Sequence, residues 1–197
     1  FSIGYRLADA EGPGRLDDSY YDLLASEARL ASFIAIARGE VPQEHWFRLS
    51  RALVGVEGRT ALVAWSGSMF EYLMPMLVLR SHAETLLENT CRAVVEAQIH
   101  YGRRQRVPWG ISESAFGVVD QHGTYQYKAF GVPGLGLKRG LGEDLVIAPY
   151  ATALAAMADP EAPAANFRRL THEDASRRFG YYEAFDFTPR EPLPADG

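Results

Sequence analysis

The sequence predicts an all-α fold, a toroid or bundle of paired helices with functional loops at one end. Three observations carry this expectation. Segments with helical apolar spacing recur along the chain. Capping residues stand where those segments begin. Aromatic, glycine-rich stretches join them, and no strand–helix–strand alternation occurs.

"DDSYYDLLASEARLASFIAIARGE" opens the series. Leu23, Leu24, Ala28, Ala31, Ile34 and Ala35 fall on one helical face. Asp18 or Ser19 suits the N-cap, Asp22 complements the dipole, and Gly39 suits the stop. "PQEHWFRL" begins on a proline fitted to a helix's first position. "RTALVAW" (59–65) reads as a strand or a buried extended run. Ser68 and Glu71 stand in the spacing of a capping box, so a helix should start at "SGSMFEYLMPMLVLR". Ser81 and Glu84 repeat the device before a long helix whose stop is Gly102. Residues 107–143 are rich in glycine, with a hairpin signal at His122-Gly123. An irregular stretch that long inside a compact domain is usually functional or disordered, and its aromatic content argues for function. "EDLVIAPYATALAAMAD" returns to helix. "PEAPAANFRRLTHEDASRRFG" gives one or two short ones, with Thr171 and Asp174 as a weaker capping box. Residues 1–190 therefore read as a single domain, and 191–197 as a loose, proline-rich tail.

The net charge of -5 and mean hydropathy of -0.16 are those of a soluble globular domain, and 47% hydrophobic residues suffice for a core. Mild acidity argues against a nucleic-acid surface. No apolar run approaches a membrane span, and the first residues lack the layout of a signal peptide. The absence of an initiator Met suggests a chain cut from something longer. The single cysteine, Cys91, excludes an internal disulfide and sits in a helical pattern rather than a nucleophile's setting.

The histidines at 45, 82, 100, 122 and 172 share no zinc-ligand spacing, so neither a metal nor a cofactor is expected. "GLGLKRG" lacks the phosphate-loop pattern, and no G-x-S-x-G elbow is present. What remains is aromatic rings beside polar residues and a few carboxylates set among them. Rings with a polar tip suit surfaces half apolar and half wet, which is also the character of a sugar. Glu71 in "SMFEY", Glu113 in "GISES", and Glu183 and Asp186 in "YYEAFDF" stand apart from the remaining carboxylates, which read as ordinary amphipathic faces. Two carboxylates facing an aromatic cleft are what glycosidic cleavage needs, one as acid and one as nucleophile or base. Each also has a plainer reading. Glu71 fits the partner of Ser68, Glu113 a helix cap, and Glu183 and Asp186 partners for the arginines of "RRF".

"WSGSMFEYLMPMLV", "VPWGISESAF", "TYQYKAFGVPGLGLKRGL", "DLVIAPYATALAAM" and "FGYYEAFDFTP", together with the opening "FSIGYRLADAEGPGRLDDSYYDLLASEARLASFIAIARG", resemble the glycoamylase-like domain of cyclic β-1,2-glucan synthases. The resemblance covers nearly the whole chain in motif order. It implies a six-hairpin α/α toroid similar to that of endo-β-1,2-glucanases. It implies intramolecular transglycosylation of a linear β-1,2-glucan with retention, in a parent at the bacterial inner membrane whose other domains are partners. Hydrolysis by an endo-β-1,2-glucanase and non-catalytic glucan binding are the alternatives. Carried over by motif, Glu113 is the general acid/base and Glu183 the nucleophile. Glu71 and Asp186 support them, and Trp65, Trp109, Tyr125, Tyr127, Lys138 and Arg139 line subsites. A whole toroid of this kind takes roughly 350–400 residues, beyond the usual domain size. The chain of 197 residues would then hold about half of it, and self-association through the uncovered apolar faces follows as an expectation.

Overall fold

The computed structural model describes residues 1–10 and 12–189. The proline-rich tail expected at 191–197 lies outside them. The architecture is mixed rather than all-α. The described residues form six α-helices, a 3-10 turn and five two-stranded antiparallel sheets, so the all-α toroid is overturned.

The first hairpin pairs β1 (Tyr5–Arg6) with β2 (Arg15–Leu16). Helix α1 spans only Arg29–Ala37. The apolar spacing upstream is real, but the backbone there bonds elsewhere. The Tyr21 amide donates to Phe1 O, the Leu24 amide to Ser50 O, and the Ser50 amide to Asp22 O. Tertiary pairing thus overrides helix propensity over residues 21–24. Helix α2 (Glu44–Arg48) forms within the expected stretch, but Gln43 is its N-cap, so Pro42 lies before the cap rather than at the first helical position. Strands β3 (Leu53–Val56) and β4 (Arg59–Leu62) make a hairpin, and the Leu62 amide donates to Thr90 Oγ1.

The Ser68–Glu71 capping box is present and starts α3 (Met69–Leu73), which runs into the 3-10 turn Met74–Leu77. The second box is displaced. Glu84 takes a left-handed conformation, and Thr85 caps α4 (Leu86–Gln105) by accepting from the Glu88 amide. Gly102 is not the stop, which falls at Arg106 in the left-handed region. Gly102 serves close packing instead. A Cβ there would lie 2.8 Å from Trp109 Cβ. Strands β5 (Ser114–Val119) and β6 (Tyr125–Lys128) form the hairpin signalled at His122-Gly123, with Asp120 bonding the turn amides of His122 and Thr124.

Strand β7 (Val146–Ile147) takes up what read as the start of a helix. Helix α5 (Pro149–Ala155) begins after it and α6 (Ala162–His172) follows. Thr171 does not cap anything, because its hydroxyl bonds to Phe167 O inside α6. Strands β8 (Ser176–Arg177) and β9 (Gly180–Tyr181) form a short hairpin, and β10 (Phe185–Asp186) pairs with β7.

The core gathers around α4, whose inner face carries Val94, Val95, Ala97 and Gln98. Tyr72, Leu62, Leu135, Ile147 and Leu170 close over it, each at most 1% exposed. None of the helices among the described residues is long and apolar enough to cross a membrane.

One close approach binds two loops into this core. The Lys138 amide donates to Trp65 O, and the Val132 amide to Gly67 O. A Cβ on Gly131 would lie 1.8 Å from Ser66 O. Gly131→Ala is therefore expected to lower the unfolding free energy by about 1–3 kcal/mol through overpacking. Urea denaturation would read it, and an unchanged midpoint would mean the loops separate without cost.

Candidate active site

Helix α3, five residues long, organises the surroundings of Glu113. At its start the Glu71 carboxylate accepts from the amides of Trp65, Ser66 and Ser68 at 2.9–3.2 Å and from the Ser66 and Ser68 hydroxyls. Ser68 Oγ in turn accepts from the Glu71 amide. The next amides of the helix are spent on the "GISES" segment. Met69 donates to Ile111 O at 3.1 Å and Phe70 to Ser112 Oγ at 3.0 Å. At its other end the buried Arg29 guanidinium donates to Glu71 O, Tyr72 O and Ser26 O. This fixes the turn that carries Glu27.

The segment before Glu113 is held from the remaining sides. Gln98 of α4 exchanges two 2.8 Å bonds with the Ile111 backbone. Asn166 of α6 bonds both Trp109 N and Trp109 O. The Tyr150 hydroxyl lies 2.8 Å from Ser112 Oγ and 2.9 Å from Glu113 O. Counting hydrogens gives these bonds a direction: the Phe70 amide donates to Ser112, Ser112 to Tyr150, and Tyr150 to Glu113 O. Glu113 is thus anchored through its main chain, and its half-buried side chain is left to do other work.

Burial pushes the Glu113 carboxyl above its ordinary value. The charge of Glu27 adds to this, then that of Glu71, while a bond from the Tyr127 hydroxyl acts in the opposite direction. A carboxyl whose surroundings favour its protonated form is suited to donating a proton. Tyr21 is raised by its own desolvation and by the charges of Glu27, Glu113 and Glu71, which puts its hydroxyl in the same group.

Glu183 is exposed and accepts from the Ala115 amide at 2.9 Å through Oε1. Its charge acts on Tyr127 and Tyr150, both of which also feel Glu113. The two tyrosines therefore link the two glutamates. Asp186 lies half-buried in β10 and accepts from the Thr188 amide at 3.0 Å. Trp65, Tyr125 and Tyr127 are each more than 60% exposed, whereas Trp109 is 4% exposed and packs in the core. Lys138 donates to Ala129 O at 2.9 Å. Desolvation lowers its ammonium, and the nearby charge of Lys128 lowers it further. Arg139 is exposed. No group of three or more metal-ligating side chains occurs among the described residues.

Glu27, Tyr21 and Tyr150 were not separable in the sequence. Glu27 sits in "ASEARLAS" and reads as one more carboxylate on a helix face. In the fold it precedes α1, where Ser26 caps the turn by accepting from the Ala28 amide. Tyr150 follows Pro149 and reads as a first-turn residue.

The raised Glu113 carboxyl has a consequence for stability. A group whose folded pKa exceeds its unfolded value of 4.5 stabilises the fold fully below that value. The contribution is lost as pH rises through the folded value. Glu113→Gln, always neutral, is therefore expected to melt higher than the wild type near neutral pH, with the gap closing below pH 4.5. A gap of constant size across that range would mean the carboxyl is not perturbed.

The family model "Glycoamylase", described as "Putative glucoamylase", matches residues 19–193. Over 188 residues, 95% of the chain, the sequence is 55% identical to "Cyclic beta-(1,2)-glucan synthase NdvB" of Rhizobium meliloti (strain 1021). The chain spans 6% of the length of that protein. The crystal structure of a "putative glucoamylase" from Bacteroides uniformis aligns at a TM-score of 0.51, with 17% identity, over 75% of this chain and 38% of that one. At that identity the likeness is one of fold. With the family model matched over most of its length, the chain belongs to the Glycoamylase family.

Proposed function

We propose that the chain acts on β-1,2-glucan by intramolecular transglycosylation, the ring-closing step of a cyclic β-1,2-glucan synthase, with retention and a pair of carboxylates. The observation that carries the reading is Glu113. Its carbonyl is held by Tyr150 and the segment before it from three further elements, its carboxyl is held toward the protonated form, and Glu27 is the neighbouring charge that acts on it most. The relative named as a cyclic glucan synthase supports the choice of substrate.

In this reading Glu113 donates its proton to the glycosidic oxygen as the C1–O bond breaks. A second carboxylate attacks C1 and forms a glycosyl ester. A hydroxyl from the far end of the same glucan then attacks C1, the ester leaves, and Glu113 takes the hydroxyl proton. We assign the attack to Glu27, because its charge acts most on Glu113; its Oε2 accepts from the Ser26 hydroxyl, as Oε1 of Glu183 accepts from the Ala115 amide, while Glu71 is saturated by its five donors. The motif assignment of Glu183 as nucleophile makes a different prediction, so the two are separable. Transfer prevails over hydrolysis to the extent that water is kept from the ester.

The test is mass spectrometry of the products from linear β-1,2-glucan. Cyclic products are expected from the wild type, falling by about 10²–10⁴-fold in Glu113→Gln and to a comparable extent in Glu27→Gln. Full loss in Glu183→Gln with turnover intact in Glu27→Gln would hand the attack to Glu183. Linear shortened products would make the chain a hydrolase. Turnover unaffected by Glu113→Gln would remove the acid from the mechanism altogether.

A further inference from the structure

A cavity of about 340 Å³ lies beside the Glu113 anchor, with Tyr150, Phe167, Tyr181, Tyr182, Pro149 and Glu183 in its walls. It falls at the small end of ligand sites, ~300–1,000 Å³, with room for a short piece of a sugar chain. Tyr150 belongs to both places, since it lines the cavity while its hydroxyl holds Glu113 O.

The polar groups of the cavity are largely spent. The Tyr150 hydroxyl is committed to Ser112 and Glu113, and the Tyr181 hydroxyl lies 3.0 Å from Thr171 Oγ1. Glu183 Oε1 is held by the Ala115 amide, which fixes the carboxylate while Oε2 has no hydrogen-bond partner among the described residues. What the cavity offers is ring faces, Phe167 and Tyr181 with centroids 5.1 Å apart, and a single fixed anionic acceptor. An acceptor-only group bonds hydroxyl donors and repels phosphates and carboxylates. Aromatic walls suit a flat C–H face. A neutral polyol with apolar ring faces meets both demands.

We infer that this cavity is a glucosyl subsite, in which a pyranose of the β-1,2-glucan packs against Tyr182 and the neighbouring rings and donates a hydroxyl to Glu183, next to the bond that Glu113 meets. Glu183 is then a substrate-binding residue. The inference rests on the glucan reading above and goes beyond it by assigning a place to one sugar unit.

Calorimetric titration of β-1,2-linked gluco-oligosaccharides of increasing length into the Glu113→Gln chain tests it without turnover. Tyr182→Ala and Glu183→Gln, each added to that background, are expected to weaken binding about tenfold for oligosaccharides long enough to reach the cavity. Tyr182→Phe keeps the ring and should keep the affinity. Because Glu183 is exposed, Glu183→Gln leaves the fold intact and carries the test if Tyr182→Ala unfolds. Binding of equal strength in Glu183→Gln and its background overturns the subsite and leaves the glucan reading standing. Absence of binding at every length in the Glu113→Gln chain itself overturns both.

Discussion

Much of this structure depends on one buried carboxylate, that of Glu71. Five donors from residues 65–68 converge on it, and the residue is 8% exposed. Burying such a charge is tolerable only when its lone pairs are filled, and here backbone amides and serine hydroxyls fill them. The consequence reaches far along the chain. A five-residue helix is too short to be stable alone. Fixed at its first turn, it can still spend its next two amides on Ile111 and Ser112 and its last carbonyls on Arg29. Through those bonds α3 sets the positions of both Glu113 and the turn bearing Glu27. A capping device has become the reference point for the candidate acid and its neighbour.

Arg29 is the counterpart at the other end. The residue is 4% exposed, and desolvation lowers the ordinarily high value of its guanidinium. Carbonyl oxygens, rather than a carboxylate, take its bonds. Among the described residues Arg29 and Glu27 form no direct ion pair, although the two charges attract, and the charge of Glu27 still acts on Glu113. Had Arg29 closed a bidentate pair with Glu27, the charge felt by Glu113 would be smaller and its carboxyl less inclined to keep a proton. Donation to neighbouring carbonyls fixes the turn while sparing the carboxylate.

The sequence disclosed some of this and concealed the rest for identifiable reasons. The Ser68–Glu71 box was legible because both partners lie within one helical turn, where spacing alone specifies the bonds. The His122-Gly123 hairpin was legible for the same local reason. The toroid was not, because apolar spacing at residues 18–28 satisfies a helix template while the backbone there bonds to Phe1 and Ser50. The Ser81–Glu84 box matched in type and failed in place, since Thr85 and Glu88 offer the same chemistry four residues on. Glu113 stood out as a lone carboxylate on a glycine-turned loop. Glu27 did not, because nothing in "ASEARLAS" reveals that the helix begins after it. Trp109 shows the reverse difficulty. A tryptophan beside glycine in a loop resembles a sugar platform, yet the glycine that matters to it is Gly102, on the helix against which it packs.

The two glutamates of the aromatic loops come out with unlike surroundings, and the proposed roles rest on this difference. Glu113 is half-buried, near two other carboxylates, with a single tyrosine hydroxyl to favour its anion. Glu183 is exposed, and its Oε1 accepts from the Ala115 amide. The first environment suits the proton donor proposed above, and the second suits the fixed hydroxyl acceptor of the proposed subsite. Tyr127 and Tyr150 stand in the field of both groups. Tyr150 couples them mechanically as well, since the side chain that seats Glu113 also walls the cavity at Glu183. A sugar unit in the proposed subsite would therefore meet a wall, Tyr150, whose hydroxyl also holds Glu113, and in the proposed mechanism binding and proton transfer would share one alignment.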